Sequence, residues 1–492
     1  MLFNSQIFIF VFLPLCLCGW FLLNRFKLYN IALVFLTAMS LWFYGYFNPK
    51  YLLIIVSSIC VNYLISFLME KYQKAEKVFF LTGLVLNIGL LGYFKYYDFF
   101  VENINTVFRQ SFALKHILLP LGISFFTLQQ ISFLIDRHWG SAPHYNFINY
   151  TAYVTYFPQL IAGPIVLHNE LIPQFMDMSK RKFNPENFKN GVILFTLGLA
   201  KKVLIADFFA LPVNYGFEKI YYLDTPSAWI VALSYTFELY FDFSGYCDMA
   251  VGLGKMFNFE LPINFNSPYK SHSVPEYWTR WHSTLTRFFT SYIYTPMLMT
   301  GVRKKKRKLF TIITPLVVYF ISGFWHGASW TFILWGMAQG IATIWSQRKF
   351  LKIKNKFITW FFTFIFAIIT QAIFRSETME NMVLILKAMF VPSLSGFAID
   401  IGSSLSLNIV FKAVLENILS IAPPALYNVY LVLLLITFII AGLILRGKNS
   451  VEILDSHTKQ GYKFGFNFAL GIILAASIVS LTKVSTFLYF NF

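Results

Sequence analysis

Ser322-Gly323-Phe324-Trp325-His326-Gly327 closes an apolar run that begins near residue 309 and passes at once into Ala328-Ser329-Trp330. A titratable imidazole at the end of a membrane-length apolar run is costly unless it lines a cavity or meets a partner, so it marks a functional position. Gly327 behind it is a place where backbone can come close to a substrate. Upstream, Glu276-Tyr277-Trp278-Thr279-Arg280-Trp281-His282 puts a second histidine among tryptophans. The rest of the chain is organised around the stretch from Tyr277 to Trp330.

Composition sets the class. The 492 residues are 57% hydrophobic and 20% aromatic, and only 13% are charged. Soluble chains carry about a quarter charged residues, and the mean hydropathy here is +0.61. The reading is an all-α polytopic membrane protein. A net charge of +18 would suggest nucleic acid in a soluble protein. Here the Lys and Arg gather in short loops between apolar runs, as orientation in a bilayer requires, and no nucleic-acid partner is expected. The basic face is also suited to a polyphosphate-bearing donor. Cys16, Cys18, Cys60 and Cys247 stand in apolar stretches without metal-type pairing and read as small hydrophobes. The run from Gln6 to Leu23 lacks a basic leader, and Cys18-Gly19-Trp20 is a poor cleavage site, so it reads as a first transmembrane helix.

About twenty apolar residues span a bilayer, which places early spans near 6–23, 29–46, 51–69, 78–97 and 117–135. The loops after the first and third are basic, so the N-terminus is expected outside. The run 150–167 lies between two basic loops and contains Pro158 and Gly163-Pro164, which break a helix. It reads as a re-entrant segment, tolerated at depth only where protein or a cavity satisfies its backbone. Spans near 190–211 and 228–250 follow. The second carries Glu238, Asp242 and Asp248, with Glu238 and Asp242 on one face. Each costs roughly 2.5–3.5 kcal/mol at mid-depth. They are either a structural set paired with Lys201, Lys202, Arg280 or Arg287, or part of the reaction.

Residues 255–301 are too polar and proline-rich for simple crossings and predict in-plane and re-entrant helices. Arg303-Lys304-Lys305-Lys306-Arg307-Lys308 marks the cytoplasm. Spans 309–324 and 330–346 form a hairpin with His326 near its turn, and 357–374 leads to an external loop, 375–425, holding amphipathic surface helices. Spans 427–445 and 464–482 leave the C-terminus outside. The total is about twelve crossings in one domain, 1–492, with a core near 117–346 and an aromatic tail at 483–492.

A neutral His326 can take a proton from an attacking hydroxyl and return it to a leaving group. The alternative is a histidine hydrogen-bonded between helices. His282 is either an interfacial histidine in an aromatic belt or a second polar group in the same cavity. His116, His138, His144, His168, His272 and His457 fall in loops or at span ends and read as solvated. Neither a metal-binding His or Cys pair nor a Gly-x-Ser-x-Gly elbow is present, so metal and serine-hydrolase mechanisms lack their usual signals.

Six blocks then carry a resemblance. They are Leu119-Pro120-Leu121-Gly122-Ile123-Ser124-Phe125-Phe126, Phe157-Pro158-Gln159-Leu160-Ile161-Ala162-Gly163-Pro164-Ile165, Asp242-Phe243-Ser244-Gly245-Tyr246-Cys247-Asp248-Met249-Ala250, Asn264-Phe265-Asn266-Ser267-Pro268-Tyr269, Tyr277 through Leu285, and Gly323 through Gly327. In this order they resemble the membrane-bound O-acyltransferases, in their bacterial alginate O-acetylase (AlgI-like) branch. The resemblance implies a membrane funnel with a catalytic His326 at its narrow point and a second functional histidine at His282. It also implies a cytoplasmic thioester donor such as acetyl-CoA, no bound cofactor or metal, and location in the inner (cytoplasmic) membrane. It implies an extracytoplasmic acetyltransferase partner (SGNH-like, of AlgJ, AlgX or PatB type) acting on a polysaccharide, either exopolysaccharide or peptidoglycan. Further cavity candidates are Glu238, Asp242, Trp278, Arg280, Trp281 and Trp325. One departure is Thr290-Ser291-Tyr292-Ile293-Tyr294-Thr295-Pro296-Met297, where family members commonly carry Arg-Asp-Tyr ahead of Ile-Pro-Leu-Gly, which puts donor handling and subfamily in question. The tail Phe487-Leu488-Tyr489-Phe490-Asn491-Phe492 resembles a tyrosine acyl carrier of related cell-wall systems, with an interfacial aromatic anchor as the alternative. The rival classes are a transporter or flippase gated by Glu238, Asp242 and Arg280, and an O-acyltransferase acting on lipid or protein.

Overall fold

The computed structural model describes residues 1–348, 353–407, 423–461, 464–481 and 485–488, and among them there are helices and connecting segments but no strand. Six of these helices are long and apolar enough to cross a membrane: Phe8–Arg25, Lys50–Lys71, Gln73–Phe108, Arg307–His326, Lys356–Arg375 and Asn428–Arg446. Tyr29–Gly45 and Phe464–Val479 are apolar but shorter. The protein is a multi-pass membrane protein.

The centre is the 32-residue helix Thr225–Met256, whose carboxylates keep it away from lipid and whose side chains are almost all buried. Asp224 caps it, accepting from Ser227 N at 3.0 Å and, from the loop after Met379–Phe390, from Ser395 N at 2.8 Å and Gly396 N at 3.0 Å. Burial alone would raise this carboxyl, but these donors and the Ser227 and Ser395 hydroxyls hold it down to about 2. The helix packs on Pro185–Ala200 through two pairs of glycines, Gly191 with Gly252 and Gly198 with Gly245. A methyl added at any of the four would press into the facing backbone. Small residues at this spacing let two helices approach to backbone contact, the usual device of intramembrane packing.

Several boundaries differ from the sequence reading, each for a local reason. The span expected at 78–97 continues to Phe108, through a π-turn at Gly92–Tyr96, because Lys95 is turned into the protein and does not end the helix. The span expected to begin at 117 begins at Ile123. Gly122 stands before it at φ +73°, and a side chain there would run into Leu160 O. The stretch near 190–211 is interrupted by a π-turn at Lys201–Ala206 before Asp207–Glu218. The run 150–167 breaks where its prolines stand, into Phe147–Thr155, the single turn Phe157–Leu160 and a buried irregular segment.

His168 corrects the sequence reading. It is 1% exposed, with Nε2 on Asp136 at 3.1 Å and Nδ1 on the Tyr145 hydroxyl at 3.0 Å. Tyr292, from the departing segment, donates to the same Asp136 at 2.7 Å. The helix that starts at His168 is too short and polar to announce from sequence that its first residue points inward. Cys16 and Cys247 are buried and Cys18 and Cys60 exposed.

Candidate active site

Two short elements build the first half of the site. Ser273 accepts from Glu276 N at 3.2 Å and, with Pro275, starts the helix Val274–Arg280. That helix ends at Trp281. His282 then takes a left-handed conformation, φ +44° and ψ +49°, rare for a residue with a side chain and concentrated at functional sites. The loop at 264–266 runs alongside, with Ser283 N on Asn264 O at 3.0 Å and Asn266 N on Arg280 O at 2.9 Å. This sets the Asn264 amide under the imidazole, its Oδ1 at 3.0 Å from His282 Nδ1. The same Oδ1 accepts from Thr284 N at 3.3 Å, which a backbone N–H can only donate. His282 Nδ1 therefore carries the proton, and its basic lone pair is on Nε2.

The hairpin supplies the second half. Arg307–His326 and Trp330–Gln347 meet through Gly323 and Gly336, where an added methyl would overlap facing backbone. His326 is the last residue of its helix and 5% exposed. Its ring lies 4.9 Å from Trp325, 5.3 Å from Trp335 and 5.2 Å from Phe374, all at steep angles. At Gly327 the Phe332 ring would overlap a β-carbon, so its smallness also serves packing.

Lys95 was missed by the sequence reading. Its ammonium donates to Trp325 O at 2.7 Å and His326 O at 2.8 Å, and the neighbouring Tyr96 hydroxyl donates to Phe324 O at 2.7 Å. These carbonyls belong to the last turn of the His326 helix, which has no intrahelical donors for them and carries partial negative charge. The π-turn delivers two consecutive side chains to that end. Asn264 was quoted only as part of a block. The signal for Lys95 was a charge inside an apolar run, the argument already applied to His326.

The histidines share one region. His282 is 6.5 Å from the Trp325 ring, centroid to centroid, and packs edge-on against Phe243 at 4.8 Å. A narrow aromatic slot of about 30 Å³, room for roughly one water, is lined by His326, Trp278, Trp281, Trp335, Phe243 and Phe374 among others. Trp278 Nε1 donates to Gln339 Oε1 at 3.2 Å, and Trp281 stacks on Tyr277 at 5.6 Å. Arg280 is not brought to this slot. It turns to Glu276 at 3.0 Å.

Across Phe374 lies a polar cavity of about 560 Å³, lined by Lys202, Asp207, Glu238, Asp242, Arg375 and Leu488 among others. Lys202 Nζ bridges Asp242 at 2.6 Å and Asp207 at 2.8 Å. The segment 485–488 is tied to this cluster. Lys202 donates to Thr486 O at 3.1 Å, Ser485 Oγ to Asp207 at 2.6 Å, and Leu488 N to Asp242 Oδ2 at 3.0 Å. Asp248 pairs with Lys201 at 2.6 Å, and Arg287 with Glu170 at 2.6 Å. The carrier candidate Tyr489 lies outside the described residues. Among the described residues no group of His, Cys, Asp and Glu side chains could hold a metal ion.

With this geometry, comparisons with known proteins are informative. Residues 141–379 match the family model of MBOAT, the membrane-bound O-acyltransferase family. The chain is 37% identical to the peptidoglycan O-acetyltransferase of Helicobacter pylori over 100% of its own length and 98% of that protein. It is 35% identical to the "Probable alginate O-acetylase AlgI" of Pseudomonas aeruginosa, over 79% and 75%. It is 25% identical to the teichoic acid D-alanyltransferase of Streptococcus thermophilus, over 46% and 58%.

Proposed function

As this chain belongs to the membrane-bound O-acyltransferase family and is an acyltransferase, we propose that it moves an acetyl group from a cytoplasmic thioester, such as acetyl-CoA, to an extracytoplasmic polysaccharide. Family membership decides against the transporter reading. Peptidoglycan is the favoured acceptor, because the relative matched over its whole length is a peptidoglycan O-acetyltransferase. The inner membrane is the proposed location, with both termini outside by loop charge. The Arg375–Glu377 rim of the polar cavity is then extracytoplasmic.

His326 is the proposed general base. Tyr489 is the proposed first acceptor. The tyrosyl hydroxyl attacks the thioester carbonyl as His326 takes its proton, the carbon–sulfur bond breaks, and the imidazolium returns the proton to the leaving thiolate. His282 orients the donor beside the Trp325 ring, with an Nε2 that accepts a hydrogen bond. A partner protein of the SGNH type then carries the acetyl group to the polymer.

The observation that carries this reading is the anchoring of Leu488, the residue before Tyr489. Its N–H is bonded to Asp242 in a cavity that shares Phe374 with the His326 slot. An interfacial anchor would have no use for a buried ionic clasp on its backbone, whereas a carrier needs its tyrosine held near the base. The test is turnover of labelled acetyl-CoA by the purified enzyme. Wild type consumes donor and retains ester label on the chain, His326→Ala does neither, and Tyr489→Phe loses the label. Full turnover by His326→Ala would refute the assigned base, and label retained in Tyr489→Phe would refute the carrier.

A further inference from the structure

We propose that a groove between three helices, Phe8–Arg25, Pro185–Ala200 and Phe464–Val479, binds an anionic phospholipid. One acyl chain lies in the groove, and the phosphate meets Arg25 and Lys182 at its basic end. The groove shares no lining residue with the His326 slot or the polar cavity, so the site stands apart from the acyl-transfer chemistry and does not rest on it.

The groove holds about 570 Å³ and is lined by Leu13, Leu17, Phe21, Val192, Leu474 and Ile478 among others, with one hydroxyl, that of Thr196, among the described lining residues. It follows the first helix from Ile9 to Phe21, roughly 18 Å at the helical rise. Half of a bilayer's hydrocarbon core is about 15 Å, so the groove is one leaflet deep. A helix about 10 Å across would displace on the order of 1,400 Å³ over that length. The groove is therefore too narrow for a partner helix and suits a single hydrocarbon chain. Phe10 and Phe183 on its rim are 57% and 53% exposed, so it opens toward lipid.

An apolar groove alone would take any lipid, and the charge at one end makes the choice. Arg25 stands one turn beyond Phe21, on the same face of the first helix. Lys182 precedes Phe183, whose ring packs edge-on against Phe21 at 5.2 Å. Both cations are exposed, and their neighbours in sequence hold them together. The buried Arg181 guanidinium donates to Asn24 Oδ1 at 3.3 Å and to Tyr29 O at 2.7 Å, which ties the loop to the end of the first helix. Phe188 meets Phe183 at 5.6 Å and brings the first turns of Pro185–Ala200 to the same end, with Lys189 against Glu186, so the balance there stays positive. Basic side chains at the end of a crossing reach headgroup depth with their stems along apolar surface, and they attract anionic lipid.

The test uses the full-length enzyme in phosphatidylcholine vesicles in which a minor fraction of the lipid carries a photoreactive acyl chain, either as phosphatidylglycerol or as phosphatidylcholine. Labelling is read by peptide and normalised to the membrane-spanning helix Lys50–Lys71. Peptides lining the groove are expected to take up phosphatidylglycerol about tenfold more than phosphatidylcholine. Arg25→Gln combined with Lys182→Gln brings that ratio close to one. High salt, which screens the same contact, lowers the ratio in the unaltered chain and so needs no control for folding. A ratio near one in the wild type means ordinary bilayer lipid only and overturns the inference, as does a ratio unchanged by high salt or by the double variant. Groove peptides labelled by neither lipid would assign the groove to another occupant and overturn it as well.

Discussion

His282 and His326 both lie near the Trp325 ring, yet the chain holds them by different means. His282 is placed by its ring: a strained backbone points the imidazole at Asn264, and one hydrogen bond fixes its tautomer. His326 is placed through its backbone, with its ring walled by Trp325, Trp335 and Phe374 while Lys95 and Tyr96 hold the carbonyls of its helix end. A ring fixed by a hydrogen bond keeps one orientation and one protonation pattern, which suits a group that orients by accepting at Nε2. His326 is held by ring packing and by the clamp on its backbone, and neither of these contacts uses a proton of the ring. The difference supports the proposed roles, proton transfer at His326 and orientation at His282.

Replacing each histidine tests that assignment most severely. His326→Ala is expected to lower kcat for thioester turnover by about 10²–10⁴-fold, the usual share of a general base. His282→Ala is expected to lose about tenfold less. A larger loss at His282 would exchange the two roles, since its Nε2 also carries a basic lone pair.

Lys95 comes next in size. Lys95→Met removes two hydrogen bonds from the His326 helix end, and kcat is expected to fall on the order of a hundredfold, equal to about 2.7 kcal/mol. KM for the donor stays near its wild-type value, because Lys95 touches backbone behind the base. Lys95→Arg, which keeps the charge and the donors, restores part of the rate. A fall confined to protein yield or Tm, with kcat unchanged, would make Lys95 a packing residue only.

How far the sequence could reach depended on which contacts were local. His326 and His282 stood out as candidates by residue type alone, each an imidazole beside tryptophan in an apolar or aromatic run, whereas their partners Asn264, Trp335 and Phe374 come from other segments. The long apolar helices were legible by length, and the broken run 150–167 by its prolines. Lys95 was not, because its partners are the carbonyls of residues 325 and 326, and an apolar window reads a lysine there as the end of a span. Asp242 was legible as a candidate, but its split duty to Lys202 and to Leu488 N depends on the tail folding back. His168 was misread because its partners, Asp136 and Tyr145, come from other segments.

Two smaller changes separate placement by ring from placement by backbone. Asn264→Ala releases the His282 ring along with Thr284 Oγ1, which lies at 2.9 Å from the same oxygen, and kcat is expected to drop about tenfold, or about 1.4 kcal/mol. Tyr96→Phe deletes one neutral hydrogen bond, from the Tyr96 hydroxyl to Phe324 O, and leaves Lys95 in place. At about 1 kcal/mol the expected loss is roughly fivefold. The double variant Lys95→Met with Tyr96→Phe then measures whether the clamp is one unit. If both side chains act through the same helix end, adding Tyr96→Phe to Lys95→Met costs clearly less than its effect alone, because the end has already been released. Independent, multiplying losses would mean that Tyr96 acts elsewhere, most simply through the stack of its ring on Phe324 at 4.2 Å, and the backbone clamp on His326 would reduce to the lysine.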